Sequence, residues 1–337
     1  MRTDSFDYPV DENLISQHPR ERGESRLMIL DRRDGSVVTD IFLNIGRYLP
    51  DNAVLVLNDT KVFKARLYAE DQEKRVIEVF VTERLNENHI KVLLRPRKKL
   101  SSASVLTFKD GTTAVFSDYD NNYLKLSKPM NFDDFDRIGE VPLPVYIKRK
   151  ADHDDEQDYQ TVYAQNQGSI AAPTAGFHFT EQILNDLKEN KSIETVKITH
   201  HIGYATFRPI KTENVEEHEM LEEFYTITPA AAELINNAKI QGRRIIAVGT
   251  SSVRATESSS DEKGIVMPQM SGTNLFIYPG YKFKCLDHMI TNFHLPSSAP
   301  LMMVCALAGK ENIHNAYREA VKENFKFYSY GDAMLII

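Results

Sequence analysis

Hydrophobic and polar positions follow two different patterns along the chain, and the change between them divides it. Residues 53–57 form an unbroken apolar run that ends at polar residues 58–60, as expected of a strand buried on both faces. Residues 69–145 carry only short alternating runs, such as 76–81 and 90–94, with turn residues between them. This second pattern predicts a small all-β module that interrupts the surrounding domain.

Helical periodicity appears only in the second half of the chain. The predicted helices cover 181–190, 229–238, 301–308 and 311–324, and Thr180 and Thr228 are the expected N-caps of the first two. A buried strand over 244–248 ends at Gly249, where a helix is expected to begin. The patterns together predict an α/β domain with a mixed sheet, formed by 1–68 and 146–337, and an inserted β-barrel domain over 69–145.

Composition narrows the class of protein. The 337 residues suit two domains, and 42% hydrophobic and 26% charged residues with a mean hydropathy of −0.40 are typical of a globular protein. No apolar run approaches the ~20 residues of a membrane span, and no apolar segment follows the N-terminus. Cys285 and Cys305 form neither a CxxC pair nor a zinc site, so we expect a reduced, cytoplasmic protein.

The net charge of −7 argues weakly against a nucleic-acid partner, but the charge is unevenly distributed. Residues 61–100 hold eleven Lys and Arg against six Asp and Glu, a local charge of +5. The densest part contains Arg95, Arg97, Lys98 and Lys99. A basic run within a small β-module is a candidate contact for a phosphate backbone, although such runs are usually solvated faces.

Familiar cofactor motifs are absent from the sequence. It contains no GxGxxG after a strand, no GxxxxGK[ST], no HExxH and no GxSxG. Nicotinamide enzymes, P-loop ATPases and the usual serine hydrolases are therefore disfavoured, and we expect neither a metal nor a bound cofactor.

Candidate chemistry is concentrated in segments rich in Gly, Thr, His and Asn. They cover residues 57–67, 168–180, 200–207, 290–298 and 327–334. Small residues before a helix allow a ligand to approach the backbone, and clustered Thr, Asn and His side chains can read a base or sugar edge. The alternatives are a tight packing turn, structural histidines, and tyrosines that pack in a core.

At these segments the sequence resembles the S-adenosylmethionine:tRNA ribosyltransferase-isomerases of queuosine biosynthesis. The most specific matches are APTAGFHFT at 172–180, TNFHLP at 291–296 and SYGDAM at 329–334. Further matches are LNDT at 57–60 and Gly249-Thr250 with Arg254, and all occur in family order over nearly the whole chain.

The resemblance implies a discontinuous α/β domain carrying a closed antiparallel barrel. It also implies transfer of the ribosyl group of S-adenosylmethionine to 7-aminomethyl-7-deazaguanine at the wobble position of tRNA. Rearrangement then gives epoxyqueuosine-tRNA, adenine and methionine. S-adenosylmethionine would be a substrate, the partner would be tRNA with a GUN anticodon, and we expect a monomer.

Roles for the matched residues follow from what this reaction requires. His178, His201 and His294 are candidates for proton transfer, and Asp59 and Asp332 are candidate catalytic carboxylates. The remaining substrate-binding candidates are Asn58, Arg66, Pro173, Thr174, Ala175, Gly176, Phe179, Thr206, Gly249, Thr250, Arg254, Tyr278, Thr291, Asn292 and Tyr330. Of these, Arg66 and Arg254 could hold the methionine carboxylate or a phosphate.

Three positions depart from the family pattern. Leu221 stands where a histidine is usual, Ala205 replaces a glycine, and Ala299 replaces a threonine. The competing hypotheses are a non-catalytic tRNA-binding relative with the same fold, and another S-adenosylmethionine or purine-nucleoside enzyme on the same scaffold. Adenine release in the presence of tRNA distinguishes them.

Overall fold

The computed structural model describes residues 1–117, 122–204 and 209–337, without the side chain of Lys99. A large mixed sheet forms the centre of the main domain. Its strands are β1 (Arg26–Leu30), β2 (Val37–Ile41), β3 (Val54–Asn58), β12 (Glu194–His200), β13 (Glu223–Ile227), β14 (Ile245–Val248), β15 (Gln269–Thr273), β16 (His288–Asn292) and β17 (Ala333–Ile336). Their order is β15-β13-β12-β3-β14-β16-β17-β1-β2.

The middle of this sheet is parallel. Strands β12, β3, β14 and β16 run in the same direction, whereas β17 runs antiparallel to β16. All five residues of β3 and all four of β14 are buried, because helices cover both faces of a parallel sheet. The carboxyl ends of the four parallel strands therefore meet at one edge, where open α/β sheets bind ligands.

The helices of the described chain are α1 (Phe132–Ile138), α2 (Asp155–Asp158), α3 (Glu181–Lys191), α4 (Pro229–Ile240), α5 (Thr250–Ser258), α6 (Ala299–Ala308) and α7 (Lys310–Lys322). Leu55 and Leu57 pack with residues of α3 on one face of the sheet. Residues of α4 to α7 pack on the other face. The predicted N-caps Thr180 and Thr228 accept backbone hydrogen bonds from Ile183 and Ala231.

The expectation that helices occur only in the second half is wrong, because α1 and α2 lie before residue 168. Asn131 caps α1, accepting a hydrogen bond from the backbone N–H of Asp134, whose carboxylate accepts one from the backbone N–H of Asn131. This reciprocal capping box stabilises a helix that is too short to show a clear apolar period.

A closed antiparallel barrel is inserted into the main domain. Its strands are β5 (Arg66–Glu70), β6 (Val76–Arg84), β7 (His89–Arg95), β8 (Val105–Phe108), β9 (Thr113–Ser117) and β10 (Tyr123–Leu126). Buried and exposed positions alternate along β7 and β9, so that one set of side chains fills the barrel. The predicted mixed sheet with an inserted barrel is thus confirmed, while the domain boundaries at 68/69 and 145/146 stay predictions.

Two short parallel strands, β4 (Thr60–Val62) and β11 (Asn166–Ser169), join the domains where the chain enters and leaves the barrel. The residues just before β4 and those just before β11 both lie close to the carboxyl end of β3. In the described residues, no helix is both long enough and apolar enough to cross a membrane.

Candidate active site

A cleft of about 410 Å³ lies at the edge where the parallel strands end. Its volume falls within the range of small-molecule sites. Nine of the predicted site residues line it: Pro173, Thr174, Ala175, Gly249, Thr250, Arg254, Thr291, Asn292 and His294. They come from the loop before α3, the start of α5 and the end of β16.

Gly249 makes the turn from β14 into α5. Its φ of 86° and ψ of 157° lie in a region that essentially only glycine adopts. Its backbone N–H donates to the carbonyl of Ile290, 2.8 Å away, which fixes the turn against β16. The turn places Thr250 and Ser251, the first residues of α5, on the wall of the cleft.

His294 is the one predicted proton-transfer histidine whose side chain lines the cleft in the described part of the chain. Its Nε2 lies 2.8 Å from Oγ1 of Thr291. Its backbone N–H donates to the hydroxyl of Tyr317, and its carbonyl accepts from the hydroxyl of Tyr8. Burial lowers the pKa of His294 to about 3, so the imidazole is neutral near pH 7.

Asn292 is held by side chains on two sides. Its Nδ2 donates to Nε2 of His178 at 3.2 Å, and its Oδ1 accepts from the hydroxyl of Thr174 at 3.0 Å. His178 therefore carries its proton on Nδ1 and donates to Oγ of Ser25 at 2.9 Å. Burial, and then the charge of Arg22, lower the pKa of His178 to about 3, so it supports Asn292 as a neutral ring behind the cleft.

Arg254 belongs to a buried ionic cluster that the sequence did not reveal. Glu223 accepts hydrogen bonds from Nε2 of His200 at 3.0 Å, from the guanidinium of Arg254 and from the backbone N–H of Gly203 at 2.7 Å. Burial alone would raise the pKa of Glu223, but the His200 hydrogen bond and the Arg254 charge lower it to about 2. Glu223 and Arg254 both line the cleft.

His200 joins α5 to this cluster. Its Nδ1 lies 3.0 Å from the carbonyl of Ser251, and its Nε2 lies 3.0 Å from Glu223. The ring therefore bridges Glu223 and the start of α5, which lines the cleft.

Arg254 also ties the cleft wall together. Its Nε donates to the carbonyl of Leu275 at 3.1 Å, and its second terminal nitrogen donates to the carbonyl of Thr273 at 3.1 Å. The side chain thus joins α5 to β15 and to the loop that carries Phe276 into the cleft. These contacts, together with the one to Glu223, use all three nitrogens of the guanidinium.

Three predicted residues lie behind the cleft, between the carboxyl ends of β3 and β12. Asn58 donates to Oγ of Ser251 at 2.9 Å and to the carbonyl of His200. Asp59 accepts from Thr199 at 2.6 Å and from Asn166 at 3.0 Å. His201 lies 2.8 Å from Thr60, with its ring packed against Gly168.

Other predicted residues have packing or backbone contacts away from the cleft. Asp332 accepts from the backbone N–H groups of Arg26 and Lys326, and the Tyr330 hydroxyl donates to Asp155 at 2.8 Å. Arg66 donates to the carbonyl of Leu143 at 3.2 Å.

The last three described candidates, Gly176, Phe179 and Tyr278, have packing contacts. A Cβ on Gly176 would lie 2.1 Å from the Tyr163 hydroxyl, and Phe179 is completely buried. The ring of Tyr278 lies 5.1 Å from that of Phe276. Thr206, together with Ala205, falls outside the described residues.

Aromatic side chains of the cleft were not predicted. They are Tyr146, Tyr204, Phe276, Phe293 and Tyr328. Phe293 belongs to the TNFHLP segment, and Tyr204 and Tyr328 lie in the candidate segments 200–207 and 327–334. Membership of these segments is the signal that could have identified the three residues.

Two of the three departures from the family pattern line the cleft. Leu221 is 53% exposed and lines it together with His218, and Ala299 lines it at the start of α6. The position where the family usually has a histidine therefore places an apolar side chain in the cleft. In the part of the chain that the structure describes, no three His, Cys, Asp or Glu side chains are grouped as metal ligands would be.

Comparison with known proteins identifies the family. The model of the queuosine biosynthesis protein family matches residues 3–336, so the chain belongs to this family. It is 46% identical over the full length of both chains to the S-adenosylmethionine:tRNA ribosyltransferase-isomerase of Caldanaerobacter subterraneus subsp. tengcongensis. It is 45% identical, again over both full lengths, to that of a Thermoanaerobacter species.

A solved structure supports the same assignment. The crystal structure of S-adenosylmethionine tRNA ribosyltransferase from Thermotoga maritima matches with a TM-score of 0.55 and 33% identity. The match covers 99% of this chain and 100% of the Thermotoga chain.

Proposed function

We propose that this protein transfers the ribosyl group of S-adenosylmethionine to 7-aminomethyl-7-deazaguanine in the wobble position of tRNA. It then rearranges the group to an epoxycyclopentane, with release of adenine and methionine. The observation that carries the proposal is the cleft itself. Residues of the APTAGFHFT and TNFHLP segments, 119 positions apart at their first residues (291 minus 172), meet on its walls.

Different residues of the cleft suit different steps of the proposed reaction. Removal of a proton next to the sulfonium requires a base, and His294 is a neutral imidazole in the cleft. Asn292, fixed by Thr174 and His178, can present its amide to the purine or the ribose. The guanidinium of Arg254, which lines the cleft, suits the methionine carboxylate.

The experiment is single-turnover release of adenine from S-adenosylmethionine in the presence of tRNA that carries the modified base. The wild-type protein should release adenine only with this tRNA. Binding of tRNA without any adenine release would instead support a non-catalytic relative. Release of adenine without tRNA would support another nucleoside enzyme.

His294→Ala should slow adenine release by about 10²–10⁴-fold, because general acid–base groups contribute on that scale. His153→Ala is the matched control, since the His153 side chain is 89% exposed on the surface. An unchanged rate for His294→Ala, with a large loss for His201→Ala or His178→Ala, would move the role to that histidine.

The substrate tRNA, the cellular location and the oligomeric state are also part of the proposal. We infer a substrate tRNA with a GUN anticodon, a cytoplasmic location and a monomeric enzyme. Measured turnover of tRNAs that differ only in the anticodon tests the first inference, and sedimentation at working concentrations tests the last.

A further inference from the structure

Tyr328 has a strained backbone at the wall of the cleft. Its φ is +69°, and it is the only aromatic residue with a positive φ in the described chain. Bulky L-residues rarely adopt this conformation, and the strain persists only where the surroundings enforce it. Such strain is most common at functional sites, so it calls for an explanation at Tyr328.

The surroundings of Tyr328 fix both its backbone and its ring. Its backbone N–H donates to the carbonyl of Phe293 at 3.0 Å, and its carbonyl accepts from the N–H of Gly331 at 3.0 Å. Its ring lies 5.0 Å from the ring of Tyr146 with a 53° tilt, and the Tyr146 hydroxyl is 2.6 Å from Oγ of Ser329. The result is a pair of fixed aromatic rings beside the TNFHLP segment.

Both rings line the cleft, and both are uncharged. Burial raises the pKa of Tyr328 to about 12, so its phenol stays protonated at neutral pH. The faces of such rings attract cations through their quadrupole. S-adenosylmethionine brings a cation into the cleft, because its sulfur carries three carbon substituents and a positive charge.

The carboxylates of the cleft are less suited to that cation. Among the described residues that line it, the acidic side chains are Glu219 and Glu223. Glu223 is already paired with His200 and Arg254, and Glu219 is exposed. The backbone hydrogen bond from Tyr328 to Phe293 ties the pair of tyrosines to the TNFHLP segment, which contains His294.

We propose that the rings of Tyr146 and Tyr328 form the binding site for the sulfonium of S-adenosylmethionine, and that the strained backbone of Tyr328 holds its ring in place for this contact. The site would place the positive sulfur close to His294, which removes the adjacent proton. It would also favour the cationic substrate over the neutral thioether. This inference rests on the proposed function.

The test compares S-adenosylmethionine with S-adenosylhomocysteine, which lacks the S-methyl group and therefore has a neutral sulfur. Isothermal titration calorimetry gives both dissociation constants for the wild-type protein and for Tyr328→Phe, Tyr328→Leu, Tyr328→Gly and Tyr146→Leu. Leu removes the aromatic face at similar bulk, whereas Gly removes the ring and relieves the strain at positive φ. Tyr328→Gly therefore remains informative if Tyr328→Leu fails to fold.

We expect Tyr328→Leu, Tyr328→Gly and Tyr146→Leu to weaken S-adenosylmethionine binding by about 2- to 30-fold relative to S-adenosylhomocysteine binding. Tyr328→Phe should keep the wild-type ratio, because it keeps the ring. The control is Phe224→Leu, since Phe224 is a 55% exposed ring that does not line the cleft. Its ratio should not change.

An unchanged ratio in Tyr328→Leu, Tyr328→Gly and Tyr146→Leu would overturn the inference. So would a loss in Tyr328→Phe as large as that in Tyr328→Leu, because the hydroxyl would then be the contact. Loss of preference in Glu219→Gln alone would assign the sulfonium to a carboxylate. A wild-type protein that binds neither ligand would contradict the proposed function itself, and so is distinguishable from these results.

Discussion

Glu223 forms a buried ion pair with Arg254 and a hydrogen bond with His200. Removing one member of a buried ion pair leaves the other without a counter-charge. Glu223→Gln should therefore lower the free energy of unfolding by about 3–5 kcal/mol. Urea denaturation followed by circular dichroism measures the change. The neighbouring Glu222→Gln is the control, because Glu222 is exposed and should shift stability by less than about 0.5 kcal/mol.

The pH dependence of this effect has a definite sign. The pKa of Glu223 is about 2 in the folded protein, below its ordinary value of 4.5. A carboxyl with a lowered pKa contributes stability that is present above the ordinary pKa and is lost as the pH falls toward the folded value. The stability difference between wild type and Glu223→Gln should thus shrink between about pH 4.5 and pH 2. A difference that is constant over this window would contradict an ionised Glu223.

Single residues also show what the sequence could not predict. Asn292 and His294 were predictable, because they lie in one short motif at a strand end. Glu223 was not, because its partners lie 23 and 31 positions away along the chain and meet it only through sheet pairing. His200 pairs with Tyr225, two residues after Glu223, and a single sequence does not contain this register.

At the scale of elements, the turn from β14 into α5 shapes the cleft. Gly249→Ala should cost about 1–3 kcal/mol in stability, because alanine is strained at a φ of 86° and a ψ of 157°. It should also weaken S-adenosylmethionine binding, since relief of the strain moves the start of α5. Thermal unfolding and calorimetric titration measure the two effects.

Gly242→Ala is the control, because it introduces backbone strain at a position that does not line the cleft. Gly242 also has a positive φ, of 71°, at the end of α4, and a Cβ there would meet nothing within 4 Å. Its substitution should reduce stability without changing the dissociation constant of S-adenosylmethionine. Equal dissociation constants for Gly249→Ala and wild type would show that the α5 turn does not position the ligand.

The elements were more predictable than the site. Thr180 and Thr228 identified two helix starts, because capping is a local interaction between a side chain and a backbone N–H three residues ahead. α1 escaped prediction because its seven residues hold only two turns. The aromatic walls of the cleft came from separate segments, and nothing local marks an aromatic side chain as lining a site rather than packing in a core.

At the scale of the whole molecule, the change of hydrophobic period near residue 69 predicted an inserted β-module. Alternation along a strand shows that one face is buried, but not which strands are neighbours. Closure of the barrel depends on pairings such as β10 with β7 and β5 with β8, which join distant segments. The resemblance to the family, rather than the pattern, supplied the closed barrel.

The basic segment of the barrel bears on how an acidic protein can bind tRNA. Arg95 and Lys98 are exposed, at the end of β7 and just beyond it. Arg97 places its guanidinium 4.6 Å from the centre of the Phe116 ring and donates to the carbonyl of Leu100 at 2.9 Å, so it is partly committed to the barrel. The side chain of Lys99 lies outside the described part. Within this segment, Arg95 and Lys98 are therefore the exposed cations that could contact phosphates.

Arg95→Ala and Lys98→Ala should each weaken tRNA binding, because each removes one cation that displaces counterions from the phosphate backbone. The slope of log affinity against log salt concentration should become shallower by about 1 per lost contact. Binding of S-adenosylmethionine should not change, because neither residue lines the cleft. Fluorescence anisotropy of labelled tRNA at several salt concentrations measures the slope.

Lys109→Ala is the matched control, since Lys109 is an exposed cation in the turn between β8 and β9 of the same barrel. It changes the net charge of −7 by the same amount as each test variant. If local contacts decide tRNA binding, only Arg95→Ala and Lys98→Ala change the slope, despite equal net charges. An equal loss in all three variants would mean that the overall charge of the protein governs tRNA binding, and that the basic segment forms no specific contact.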